Sequence, residues 1–164
     1  MADEIERKWL IACPEGAHLE GTTVKEIEQI YLPTPAGWDE RRIRKSGFLD
    51  NYTYVETKKR GKTDVTREEV EVEISEARYK KLFCQGISYI HKNRFIIEFL
   101  GQNFELDIYY PEGCNSTIRP YEAILELELQ SEEQEVVFPD WIHIIREVTT
   151  DSRYKNKNLA MRMS

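Results

Sequence analysis

Charged and apolar side chains alternate with a period of two along much of this chain. The pattern begins in the stretch DEIERKWLI at residues 3–11, which has a charged set on one phase and an apolar set on the other. The charged set includes Glu4, Glu6 and Lys8. Because successive side chains of a β-strand point to opposite faces, this alternation predicts a strand with one charged and one apolar face.

Similar segments, separated by turn-forming residues, predict eight strands in all. Most of the connections are short enough for hairpins, so we expect antiparallel neighbours. The predicted strands span residues 4–11, 24–32, 40–46, 52–60, 66–74, 89–99, 103–110 and 121–130.

Three helices are predicted as well. The first covers residues 75–83, with Ser75 as its N-cap. The second begins at Pro139, and the third runs from Tyr154 to Met163. The apolar sides of these helices are formed by Ala77, Leu82 and Phe83, by Trp141, Ile142, Ile144 and Ile145, and by Leu159 and Met163.

The charged faces of the strands differ in sign from one strand to the next. Carboxylates recur in phase at Glu69, Glu71, Glu73, Glu105, Asp107, Glu126 and Glu128, and basic groups at Arg42, Arg44, Lys59, Lys92 and Arg94. For any single strand, the ordinary explanation is a half-exposed sheet with its charges in water. Segregation of sign by strand over eight strands favours another arrangement, a closed barrel whose interior is the charged side.

An eight-stranded barrel has room for side chains or one small ligand. Inside such a barrel, carboxylates would hold a hard divalent cation such as Mg²⁺ or Mn²⁺, and Arg and Lys would bind phosphate oxygens. Buried charges are costly without partners, so acid, base, metal and polyanion must neutralise one another. The apolar rows, with Trp9 and Leu125, are then expected to point outward beneath the helices.

Composition narrows the function classes. The 164 residues suit one domain spanning 1–164. A net charge of −7 argues against a nucleic-acid partner, and no apolar run is long enough to span a membrane. Acidic residues stand where a secretory signal would be basic, and Cys13, Cys84 and Cys114 are too widely spaced for a disulfide framework or a structural zinc site. We therefore expect a cytoplasmic protein.

The spacing Glu4-x-Glu6-x-Lys8 and the ordered pairs that follow it resemble the CYTH superfamily, the triphosphate tunnel metalloenzymes. The tail WIHIIREVTTDSRYKNKNLA is similar to the E-V-T-x-D-x-R-Y-x-N-x-x-L ending of short bacterial members, so the resemblance covers essentially the whole chain. It implies an α+β, mainly antiparallel fold, in which an eight-stranded closed tunnel barrel with a charged interior has helices packed outside. It also implies metal-dependent hydrolysis of a triphosphate, with the inorganic triphosphatases as the most similar members.

The same resemblance implies a role for each matching residue. The metal ligands would be Glu4, Glu6, Asp107, Glu126 and Glu128, and the substrate-binding residues Lys8, Arg42, Arg44, Lys59, Arg67, Lys92 and Arg94. Glu69 and Glu71 would complete the metal site or orient the attacking water. For Arg67, a salt bridge within its own row is an equally good interpretation, and Glu73 and Glu105 are better explained as solvated or ion-paired carboxylates.

Several alternatives stay open at this point. The partner is expected to be a small polyanionic triphosphate. Other functions would use the same tunnel and ligand class: a thiamine triphosphatase, a nucleoside triphosphatase, a class IV adenylyl cyclase or a non-catalytic polyphosphate binder. The terminal segment with Tyr154, Asn156 and Leu159 either closes one tunnel mouth or caps the barrel's hydrophobic exterior, and its aliphatic spacing favours the exterior. The sequence leaves the oligomeric state open.

Overall fold

The computed structural model describes residues 2–61, 63 and 66–163, and antiparallel strands dominate it. All eight predicted strands are confirmed: β1 Ala2–Ala12, β2 Thr23–Tyr31, β3 Glu40–Phe48, β4 Asn51–Gly61, β5 Thr66–Ile74, β6 Ser88–Phe99, β7 Gln102–Tyr109 and β8 Glu122–Glu128. Two short strands were not predicted, β9 Ile144–Glu147 and β10 Met161–Arg162.

The eight long strands close into a barrel. They are hydrogen-bonded in the order β6, β2, β3, β4, β5, β1, β8, β7, and β7 pairs again with β6. Strand β1 is shared: Ala2–Ile5 pair with β5, whereas Glu6–Ala12 pair with β8. On the side that β5 leaves free, the short β9 pairs with β1 at Trp9–Ile11. The predicted closed antiparallel barrel is therefore confirmed.

The register places the charged rows on the inner face. Lys8 lies opposite Glu126, and Arg94 lies opposite Asp107. Directly opposed residues of antiparallel strands share a face, so these side chains point the same way. The alternate positions, Trp9 and Leu125 among them, pack together outside the barrel with Phe138 and Trp141. The apolar rows thus point outward, as predicted.

The cover over this outer apolar cluster is not the helix predicted from Pro139. Residues 139–143 form a turn and irregular structure, and Ile144 and Ile145 belong to β9, where both are exposed. The prediction was wrong because the open edge of β1 offers unpaired backbone groups, and pairing with them outweighs a weak helical spacing.

Helix α1, Glu76–Phe83, confirms the helix predicted over 75–83. The Ser75 hydroxyl accepts a hydrogen bond from the Arg78 amide at 3.1 Å, which is the predicted N-cap. The buried side chains are Tyr79 and Leu82, whereas Ala77 and Phe83 are exposed. The helix covers Ile30, Leu32 and Ile43 outside β2 and β3.

The C-terminal segment closes one end of the barrel. Instead of one helix from Tyr154 to Met163, it forms a 3₁₀ turn at Ser152–Tyr154, the short helix α2 at Asn156–Leu159, and β10. Tyr154 and Leu159 are buried in a cluster with Leu10, Ile90 and Ile124, which lie on the inner faces of their strands. The favoured interpretation of an exterior cap is therefore wrong, and the segment plugs a tunnel mouth.

Two findings bear on the compositional expectations. Cys13, Cys84 and Cys114 are free thiols. In the described part of the chain, no helix is long and apolar enough to cross a membrane.

Candidate active site in the barrel tunnel

The inner face of the barrel gathers the charged residues that the sequence singled out. Alternation and strand register bring all of them to this face: Glu4, Glu6, Lys8, Arg42, Arg44, Lys59, Arg67, Glu69, Glu71, Lys92, Arg94, Asp107, Glu126 and Glu128. Most are buried or partly buried, and Glu71 and Glu128 are exposed. Their individual roles stay predictions.

Asp107 is the centre of the most deeply buried ion network. Its carboxylate is fully buried and accepts hydrogen bonds from Lys92 Nζ at 2.5 Å and from Arg94 Nε at 2.8 Å. Burial alone would raise the pKa of Asp107, but Arg94 and Lys92 hold it well below its ordinary value. Burial lowers the pKa of Lys92 to about 8, although Asp107 opposes this shift. The two cations are thus anchored by one carboxylate.

A second set of ion pairs crosses the tunnel near β1. Lys59 Nζ lies 3.1 Å from Glu4 Oε1 and 3.7 Å from Glu69 Oε2. Lys8 Nζ lies 3.4 Å from Glu126 Oε1, an oxygen that has no hydrogen-bond partner among the described residues. Lysine side chains therefore occupy the space between the carboxylates.

Negative charge is in excess on this side of the tunnel. Burial, followed by the charges of Glu126 and Glu4, raises the pKa of Glu6 to about 7. Burial also raises the pKa values of Glu4 and Glu128 above their ordinary range. Clustered carboxylates with raised pKa values are stabilised by a nearby divalent cation, so their chemistry fits such an ion.

These carboxylates are not arranged as a ready-made metal centre. Within residues 2–61, 63 and 66–163, no group of three or more acidic, histidine or cysteine side chains converges as a metal-binding set. The position of Lys59 between Glu4 and Glu69 accounts for part of this, because a cation held by Glu4 must displace the ammonium group.

The guanidinium groups on the opposite wall keep unused donors. Arg42 donates to Glu40 at 3.0 Å through Nη1, while its buried Nε has no partner in the described structure. The buried Nη2 of Arg67 is also unpartnered, and Arg67 forms no ion pair with any described residue, which disfavours the salt-bridge interpretation. Arg44 donates to Gln29 at 2.8 Å. Buried donors without acceptors are costly, and an anion in the tunnel would satisfy them.

Sequence reasoning missed several residues of the tunnel wall. Gln29 and Glu40 could have been predicted from the sequence, because each lies in phase with the inward-facing residues of its own strand. Thr149 and Lys155 line the tunnel from the C-terminal segment, and no periodic pattern marks them. Asn156 lines it too, and it was named in the alternative that this segment closes a tunnel mouth.

The two ends of the tunnel differ in charge. A cavity of about 60 Å³ at the plugged end is lined by five cations, by the carboxylates of Glu6 and Glu40, and by Thr149 and Asn156 of the C-terminal segment; the cations are Lys8, Arg42, Lys59, Arg67 and Lys155. A wider cleft of about 540 Å³ is lined by Glu98, Glu105 and Glu128 and by amide side chains, and no Lys or Arg is among its described lining residues. The tunnel therefore has a basic end and an acidic end.

A closed barrel whose buried walls oppose carboxylates with guanidinium and ammonium groups defines a class of tunnel protein whose lining fits a small polyanion. No family model matches the chain. An inorganic triphosphatase of Nitrosomonas europaea is 32% identical over 163 residues, which cover 96% of this chain and 97% of that protein. An inorganic triphosphatase of Acetivibrio thermocellus is 29% identical, with 98% of this chain and 94% of that protein covered.

The fold agrees with these sequence matches. The crystal structure of the inorganic triphosphatase NE1496 has a TM-score of 0.63 to this chain at 32% identity, and the match covers 99% of this chain and 97% of the other. The chain therefore belongs to the inorganic triphosphatase family, which confirms the kind of protein predicted from its sequence.

Proposed function

We propose that this protein is a metal-dependent triphosphatase that hydrolyses inorganic tripolyphosphate inside the barrel tunnel. The proposal includes membership of the CYTH superfamily, with residues 1–164 as one tunnel domain. The observation that carries it is the closed barrel with opposed acidic and basic rows, in which Arg42 and Arg67 keep buried donors without partners. The family membership supports the same chemistry.

The basic rows would bind the phosphate oxygens. Charge-assisted hydrogen bonds to phosphate are strong, and the planar guanidinium of Arg can donate two in parallel. Arg42 and Arg67 have the free donors, and Lys59 would exchange Glu4 and Glu69 for phosphate oxygens. The remaining groups assigned to the substrate are Lys8, Arg44, Lys92 and Arg94.

Asp107 receives a role different from the one that the resemblance implied. Its Oδ2 accepts hydrogen bonds from Lys92 Nζ and Arg94 Nη2, and its Oδ1 accepts one from Arg94 Nε. We assign it as the counter-ion that fixes these two cations, which then present a steady positive potential to the substrate. The assigned metal ligands are Glu4, Glu6, Glu126 and Glu128.

The cation would be Mg²⁺ or Mn²⁺, since both prefer oxygen ligands. When bound, the ion would neutralise phosphate charge and lower the pKa of a coordinated water. Glu69 is partly buried beside Lys59 and would orient the attacking water, whereas Glu71 is exposed and accepts a hydrogen bond from Thr57 at 3.2 Å. Arg42, Lys59 and Arg94 would stabilise charge on the equatorial oxygens during in-line attack, so no protein nucleophile is required.

We also propose that the protein works in a reducing compartment such as the cytoplasm, which its three free thiols support. The net charge of −7 supports a small substrate rather than a nucleic acid.

The test is a substrate panel for phosphate release. Tripolyphosphate, thiamine triphosphate and ATP are compared with Mg²⁺, with Mn²⁺ and with EDTA. We expect metal-dependent turnover that is fastest with tripolyphosphate. The variant Glu4→Gln should lose this turnover, while the exposed Glu132→Gln serves as a control of equal charge change.

Two results would overturn the proposal. Formation of cyclic AMP without phosphate release would identify a cyclase. Tight tripolyphosphate binding without turnover, retained or strengthened in Glu4→Gln, would identify a binding module.

A further inference from the structure

The C-terminal segment brings one lysine to the basic end of the tunnel. The Lys155 amide donates to the Ser152 carbonyl at 3.2 Å, and its own carbonyl accepts hydrogen bonds from the amides of Asn158 and Leu159 at 2.8 and 3.0 Å. Leu159 is fully buried in the plug. The main chain therefore fixes Lys155, and its side chain is not needed to hold the segment in place.

The Lys155 side chain faces other cations across the small cavity. It lines that cavity together with Arg42 and Arg67, and it forms no ion pair with any described residue. Burial lowers the pKa of Lys155, and the charge of Arg67 lowers it further. Two unpaired cations that share a partly enclosed space repel each other unless an anion lies between them.

Two nearby carboxylates, Asp39 and Glu40, offset only part of this charge: each raises the pKa of Lys155, but neither forms an ion pair with it. Glu40 accepts a hydrogen bond from Arg42. Asp39 accepts one from the Gly61 amide at 2.7 Å, and its carbonyl is contacted by Lys157. The donors on Arg42 Nε and Arg67 Nη2 remain buried without partners in the described structure. The cavity thus combines unused donors with an excess of cations over carboxylates, whereas the other end of the tunnel is acidic.

We propose that Lys155 and Arg67 form a subsite for the outermost phosphate group of the polyphosphate, and that Lys155 thereby favours three phosphates over two. The inference deepens the proposed function and rests on it. Lys155 adds one charge-assisted contact at the tunnel end where the C-terminal segment meets the barrel. A shorter anion held deeper in the tunnel does not reach this contact.

The experiment compares Lys155→Ala and Lys155→Arg with the wild-type protein, and Lys81→Ala on α1 is an exposed control of equal charge change. Calorimetry in EDTA measures the affinity for tripolyphosphate and for pyrophosphate without turnover. We expect Lys155→Ala to bind tripolyphosphate about tenfold more weakly, as the loss of one charged hydrogen bond implies. Its affinity for pyrophosphate should stay within about twofold, and Lys155→Arg should retain most of the affinity for tripolyphosphate.

Kinetics with Mg²⁺ provide an independent measurement. Lys155→Ala should raise KM for tripolyphosphate and leave kcat nearly unchanged, because the contact serves binding. Thermal unfolding of Lys155→Ala without ligand should be unchanged or slightly higher, since the side chain makes no hydrogen bond with the described residues and its removal relieves repulsion from Arg67.

Unchanged tripolyphosphate affinity in Lys155→Ala would overturn the subsite, and so would an equal loss for both anions, which indicates a general field effect. The two hypotheses can fail independently. If the proposed function is wrong, the wild-type protein releases no phosphate. A selective loss of tripolyphosphate affinity in Lys155→Ala would still establish the subsite in that case.

Discussion

Replacing Asp107 by Asn is the most informative perturbation of the tunnel. Asp107 and Lys92 are both completely buried, and Arg94 is 7% exposed. The substitution keeps the shape of the side chain but removes the negative charge shared by the two cations. Lys92 would then be buried without a paired counter-ion, and Arg94 would keep only the partly exposed Glu105 at 3.1 Å and Glu126 at 4.0 Å.

The size of the effect follows from this burial. Removing one partner of a buried ion pair costs about 3–5 kcal/mol, because the other charge is left uncompensated. For a chain of this length, such a loss corresponds to a fall in melting temperature of about 10 °C. Lys92 can limit the cost by releasing its proton, since its pKa is already about 8 and the loss of Asp107 lowers it further. The deficit should therefore shrink as the pH rises toward 9.

The assay is urea unfolding in EDTA at pH 7 and pH 9. Glu105→Gln is a matched control, because Glu105 also pairs with Arg94, at 3.1 Å, but has a side chain that is 38% exposed. Glu105→Gln should lower the free energy of unfolding by less than about 1 kcal/mol. Adding Lys92→Met to Asp107→Asn should recover part of the lost free energy.

A free energy of unfolding for Asp107→Asn that lies within about 1 kcal/mol of the wild-type value would refute this reasoning. If that variant had lost metal-dependent activity alone, Asp107 would be a metal ligand, as the resemblance implies.

Three further predictions concern the tunnel and its plug. In the folded protein the pKa of Glu6 is about 7, above its ordinary value of 4.5. In EDTA, the contribution of Glu6 to the free energy of unfolding is therefore fully present below pH 4.5 and is lost as the pH rises to 7. Glu6→Gln should remove up to about 3 kcal/mol of this pH dependence in urea unfolding, and an unchanged slope would contradict the assignment. Lys59→Met should weaken tripolyphosphate binding in calorimetry. It should strengthen Mg²⁺ binding measured without substrate, because Glu4 and Glu69 lose the ammonium group that now pairs with them. Weaker Mg²⁺ binding would contradict the proposal that a metal ion displaces Lys59 from these carboxylates. Leu159→Ala should cost about 2–5 kcal/mol in urea unfolding, and a loss well under 1 kcal/mol would mean that the plug is not packed as described.

The strands and their faces were predictable because their determinants are local. A period of two places Glu4, Glu6 and Lys8 on one face wherever the chain goes, and the turn residues set where each strand ends. The segregation of sign from strand to strand was a further sequence signal, and it indicated that the charged face lies inside. The same phase rule would have added Glu40 and Gln29 to the wall.

The C-terminal third was predicted less well because its conformation depends on distant partners. Ile144–Glu147 form a strand because β1 has a free edge beside Trp9–Ile11. Leu159 is buried because the barrel has an apolar inner end at Leu10 and Ile124. Neither requirement can be read from the segment's own residues.

The amino-acid sequence by itself therefore predicted the eight long strands, from alternation within each strand, and the inward charge, from the segregation of sign across the strands. The class of ligand followed from those charges together with the family resemblance. Only the tertiary structure decided which end of the tunnel is plugged, which carboxylate is already neutralised by Lys92 and Arg94, and that Lys155 reaches the basic end. These features arise from pairings between residues far apart in the chain, and their energies depend on a burial that exists only after the barrel has closed.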